Sequence, residues 1–214
     1  EIQMAKDIDS QAELAKEIDY KYFVDVVGLE MAKSINDKVN NLCKFFMVSN
    51  LRIMLQQDFL VNFRTSVSCN SEKNIINSRA WIQTAMNISK NIDTKPYNAA
   101  MLKAYLPELR SMTVKKPEEF LPRMHEIFAD CGIAFVLLPH LKNSGVNGAV
   151  KWVTEDRVVL AMNNRGLDAD KFWFSLFHEI KHVLQQKIKT VFISSTVEEM
   201  KDYNNNLEVE ADRF

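Results

Sequence analysis

What most constrains this chain is a single change of hydrophobic period near Cys131. Before it, apolar residues recur at helical spacing, as in Phe23, Val26, Val27 and Met31, then Val39, Leu42, Phe45 and Phe46. After it, Ile133-Ala134-Phe135-Val136-Leu137-Leu138 is an unbroken apolar run of strand type. Residues 149–153 and 157–161 follow as two further strands, joined by Thr154-Glu155-Asp156, which suits a tight hairpin. Helical spacing returns over residues 170–186, with Asp168 or Asp170 as a cap and Phe174, Phe177, Ile180 and Leu184 on one face. The expected class is therefore α+β: a helical N-terminal half over residues 1–120, then a small sheet with helices over residues 121–214.

Within the helical half, the polar stretch 66–74 reads as a loop before another helical run at 79–90. Pro96, Pro107, Pro117 and Pro122 are expected to bound short helices, because proline removes a backbone donor and crowds the preceding turn. Near the end, a polar loop at 194–206 precedes a helix starting near Leu207. The chain opens at Glu1 without an initiator Met and stops at Phe214 inside a helical pattern, so flanking sequence is expected and the C-terminal domain reads as truncated.

Composition narrows the function classes. With 47% apolar and 26% charged residues, the chain carries enough apolar surface to offset its conformational entropy. The formal net charge is −1 and no dense run of Lys or Arg occurs, so this segment carries no electrostatic footprint of a nucleic-acid groove. Cys43, Cys69 and Cys131 contain no CxxC pair and fit small apolar residues in a reducing compartment better than a disulfide framework. No apolar stretch approaches the roughly 20 residues of a bilayer span, and the start has no signal-peptide core. A cytoplasmic protein without a membrane partner is the expectation.

The chemistry is concentrated in His178-Glu179-Ile180-Lys181-His182. On a helix, residues i and i+4 lie about 40° apart around the axis and roughly 6 Å along it, so both imidazoles reach one metal ion. Glu179, displaced around the axis from both, is placed to act as general base toward the attacking water without occupying the coordination sphere. A hydrolytic zinc site takes three protein ligands and keeps a position open, so a third ligand must come from elsewhere. Glu208 in Leu207-Glu208-Val209-Glu210-Ala211-Asp212 supplies it, while Asp212, one turn later on the same face, accepts a hydrogen bond from a ligating imidazole. Glu210, about 160° away around that helix, ranks lower and is expected to face solvent. Manganese or iron would accept the same donors. Asn147, Gly148 and Ala149 are candidates for holding an extended substrate at the sheet edge, where a small residue allows close backbone approach. Arg165 and Tyr203 are candidate oxyanion donors, and His140 could face the cleft. His125 is expected to be a surface or capping histidine.

Three stretches, Ser144-Gly145-Val146-Asn147-Gly148-Ala149-Val150-Lys151-Trp152, Lys171-Phe172-Trp173-Phe174-Ser175-Leu176-Phe177-His178-Glu179 and Glu208-Val209-Glu210-Ala211-Asp212-Arg213-Phe214, together resemble the ImmA/IrrE family of metallopeptidases. The likeness runs over residues 132–214 and is closest to the form found after a helix-turn-helix domain in bacterial and phage regulators. A weaker likeness at residues 39–50 is to the segment linking those two parts. The resemblance implies a minimal zincin-like domain and a zinc endopeptidase that cleaves a repressor or antitoxin to control transcription. It also implies that DNA is met only through a helix-turn-helix domain, which these residues do not contain. Lys181 stands where the family often has Gly, and Asp212 where Asn is common. The rival expectation is a non-catalytic antitoxin or transcription-regulator module, in which the metal site is vestigial or structural and the helical half neutralises a toxin or forms a homodimer.

Overall fold

The computed structural model describes residues 2–56, 71–163, 169–185, 209–210 and 213–214, with side chains from Asp9 onward. The protein is α+β, and its described residues form seven α-helices and a three-stranded mixed sheet. They fall into two compact units.

The first unit is helical: α1 (Ile2–Glu17), α2 (Tyr20–Val27), α3 (Ile35–Phe46), a 3-10 turn at Leu51–Leu55, and α4 (Glu72–Ser89). The side chain of Ser34 caps α3 by accepting the Asp37 amide at 3.1 Å. Glu72–Asn74, expected in a loop, are instead the first turn of α4. Ser71 initiates that turn, its hydroxyl accepting the Asn74 amide at 3.2 Å. Phe23, Phe46, Leu42, Leu51, Met54, Ile76 and Trp81 form the buried interior, and Phe23 meets Phe46 edge-on at 5.5 Å. Residues 139–146 belong to this unit although they follow a strand of the other: the Pro139 carbonyl accepts from Tyr22 Oη at 2.9 Å and from Trp81 Nε1 at 3.0 Å.

Among the described residues the second unit runs from Ser89 and so takes in α5 (Ala99–Ser111) and α6 (Pro117–Asp130) together with the sheet. Strands β1 (Ile133–Leu138), β2 (Gly148–Thr154) and β3 (Arg157–Asn163) lie in the order β1-β3-β2, with β1 parallel and β2 antiparallel to β3. The hairpin turns at Glu155 and Asp156, as its sequence predicts. Helix α7 (Ala169–Leu184) packs on β2 and β3. Its Trp173, Leu176, Ile180 and Val183 join Phe120, Phe128, Phe135, Val150, Leu160 and Met162 in one core. The helical stripe therefore runs through Trp173, Leu176, Ile180 and Val183. Phe174, expected on it, is 60% exposed.

Two prolines depart from expectation. Pro117 does open α6 at its first residue, but Pro107 lies inside α5 and Pro122 inside α6. Both prolines are exposed, as are Lys103 and Glu118, whose carbonyls lose their i+4 donors. Solvent can satisfy those carbonyls on the outer face, so the helices continue. At the entrance to β1, Gly132 adopts φ +81°, and a Cβ there would meet the Tyr97 backbone at 2.3 Å, so only glycine fits. Among the described residues no helix is long and apolar enough to cross a membrane. The expected loop at 194–206 and most of the expected helix from Leu207 lie outside the described residues, although Val209 and Glu210 are helical.

Candidate metal centre

Around the axis of α7, with His178 taken as zero, His182 stands at about 40°, Glu179 at about 100° and the apolar stripe at about 140–220°. The carboxylate is thus on the flank between the imidazoles and the core, and it is buried, 3% exposed. His178 and His182 are buried as well, at 8% and 5% exposure. Their rings meet edge-on with centroids 4.6 Å apart, and the two Nε2 atoms are 2.9 Å apart. Two nitrogens at that separation can both lie about 2.0–2.1 Å from one ion, the pair opening to about 3.3 Å for a regular tetrahedral angle. The donor set therefore fits a divalent ion of zinc type on two of its ligands.

Glu179 abuts the first residue of β2. A Cβ on Gly148 would lie 2.7 Å from Glu179 Cγ, 3.0 Å from Glu179 Oε1 and 2.9 Å from Met162 Sδ. Gly148 thus makes room for this carboxylate. Asn147 is exposed, and its carbonyl accepts the Asn163 amide at 3.0 Å, extending the hairpin ladder by one pair. By the antiparallel alternation, the backbone groups of Ala149 and Lys151 also face β3, whereas those of Gly148, Val150 and Trp152 point to the outer edge. Ala149 turns its buried methyl to the sheet face opposite Gly148. No described strand pairs with that outer edge of β2.

On the other flank, His182 Nδ1 is 2.9 Å from Gln185 Oε1. Gln185 Nε2 donates to Glu210 Oε2 at 3.4 Å, and Lys181 Nζ lies 3.8 Å from the same oxygen. Phe214 closes this side: Arg110 donates to its carbonyl at 3.3 Å, and Arg110 and Lys181 lie 5.8 and 5.4 Å from its ring centroid. Glu210 is exposed, as expected, yet it engages the same helix that carries both histidines.

Of the residues singled out by sequence, the fold brings together His178, Glu179, His182 and Gly148. Glu208, Asp212, Arg165 and Tyr203 lie outside the described residues, and among the described residues no group of three metal-competent side chains occurs. His140 falls in the segment belonging to the first unit. His125 is an exposed residue of α6 whose ring lies 5.1 Å from that of Phe135. Sequence reasoning passed over Gln185. Its position three residues after His182, on the same helical face, is the signal that could have found it.

No protein-family model, no curated protein and no solved structure matches the chain.

Proposed function

We propose that the protein is a zinc-dependent endopeptidase of the ImmA/IrrE type that cleaves a regulatory protein, a repressor or antitoxin, and so controls transcription. The observation that carries this reading is the convergence of His178 and His182 Nε2 to 2.9 Å beside a buried Glu179, at a strand edge that no described strand pairs with. His178 and His182 would hold the ion, with Glu208 as third ligand and Asp212 supporting an imidazole. When bound, zinc polarises a carbonyl and makes water acidic enough to lose a proton near neutrality. Glu179 takes that proton and returns it to the leaving amine. Its burial beside Gly148 holds the carboxylate in one orientation and keeps competing water away.

The outward backbone groups of Gly148, Val150 and Trp152 suit an extended peptide added to β2, which would bring its scissile bond past Glu179. The substrate class rests on the family resemblance.

The test is the Glu179→Gln variant of the full chain, offered the regulator encoded beside it. Purified protein should hold one zinc per chain in both forms, while cleavage falls by about 10²–10⁴-fold in the variant. Zinc-free protein, or undiminished cleavage by the variant, refutes the reading.

A further inference from the structure

The geometry points to Gln185 and Glu210 as positioning residues that set the tautomer of His182, leaving its Nε2 lone pair aimed at the metal position. This inference rests on the metal-centre reading above.

The direction of each bond in the chain follows from one fact. A carboxylate only accepts, so the Gln185 atom that faces Glu210 at 3.4 Å must be its NH2. The amide oxygen of Gln185 then faces His182 Nδ1 at 2.9 Å, and this oxygen also only accepts. Nδ1 therefore carries the proton, and Nε2 presents its lone pair at 2.9 Å from His178 Nε2. Without the metal, His178 is the donor of that last pair. A glutamine amide could otherwise turn over and offer its NH2 to the ring, which would select the opposite tautomer and put a proton where a metal must bind.

Glu210 removes that freedom, because its carboxylate takes the NH2 end of Gln185 and leaves the amide oxygen for the ring. The backbone of Gln185 is held just past the end of α7, its main-chain N–H donating to the Lys181 carbonyl at 2.8 Å. A histidine that binds metal through one nitrogen commonly donates from the other to an outer partner, and loss of such a partner weakens binding by about 10–100-fold. Here that partner is the residue immediately after the same helix, with the Glu210 carboxylate behind it.

The test measures the His182 tautomer by nitrogen-15 NMR of the metal-free protein at about pH 8, together with zinc affinity by competition with a chelator. Wild type should show the Nδ1–H form of His182. Gln185→Leu should lose that preference and bind zinc about 10–100-fold more weakly. Glu210→Gln, a change on an exposed side chain that leaves folding intact, should mix the tautomers and weaken zinc in the same direction. The double variant Gln185→Glu with Glu210→Gln keeps an acceptor toward His182 and a donor behind it, and should restore both readouts. An unchanged tautomer and zinc affinity in both single variants overturns the inference while leaving the peptidase reading intact. The expected tautomer shifts in a wild-type protein that takes no zinc would refute the peptidase reading instead.

Discussion

Replacing Gly148 with alanine tests whether strand β2 and the buried Glu179 carboxylate are fitted to one another. The backbone of Gly148 is not in the left-handed region, so an alanine there meets no conformational penalty and any effect must come from space. The new methyl would stand 2.7 Å from Glu179 Cγ and 2.9 Å from Met162 Sδ. Comfortable carbon–carbon contact begins at about 3.5 Å, so something must move by roughly 0.8 Å. Met162 is a flexible thioether and can yield, but Glu179 is enclosed, and under the proposed mechanism its displacement would turn the carboxylate from the attacking water.

Overpacking of this kind costs about 1–3 kcal/mol. For a chain of this length that lowers the melting temperature by about 2–12 °C. A misplacement near 1 Å would also reduce turnover by about 10²-fold. Calorimetry and peptide cleavage read the two effects separately. Repeating the substitution in a Glu179→Ala background, where Cγ is absent, should recover much of the loss, giving a coupling of about 0.5–3 kcal/mol. An equal melting shift in both backgrounds would show that Glu179 is not what the methyl strikes. No shift in either would refute the packing argument.

Zinc at 100 times its dissociation constant should stabilise the protein by about 2.7 kcal/mol, seen as a melting rise of about 5–11 °C that chelator reverses and His182→Ala abolishes. Phe128, fully buried in the core of the second unit, should cost about 3–5 kcal/mol when cut to alanine, against about 0.5 kcal/mol or less for the exposed His125; urea midpoints compare them. Burial, helped by the Asp130 charge, pushes the Cys131 thiol from 9.0 up to about 11. The native state therefore favours the protonated thiol, so its contribution is fully present below pH 9 and is lost as pH rises toward 11. Stability measured across that window should fall more steeply for the wild type than for Cys131→Ala.

Much of the fold was legible along the chain because it is written at short range. The apolar run at Ile133–Leu138, the hairpin at Glu155 and Asp156 and the helical spacing through Ile180 each report near-neighbour periodicity, and the corresponding elements form. The prolines were misleading for a related reason. Pro107 and Pro122 break a helix only if the freed carbonyl has no water, and exposure is a tertiary property. Phe174 likewise fits a helical stripe on paper, but the stripe that meets the sheet runs through Trp173 and Leu176.

By itself, then, the order of residues determined the α+β class and the i, i+4 placement of His178 and His182 on one helix, since both depend only on rise and turn per residue. Tertiary structure decided that Gly148 faces Glu179, that Gln185 stands between His182 and Glu210, and that residues 139–146 belong to the first unit. Those pairings join positions 31 residues apart in the case of Gly148 and Glu179, and 117 apart in the case of Tyr22 and Pro139. They follow from strand order and helix docking, which no local pattern encodes.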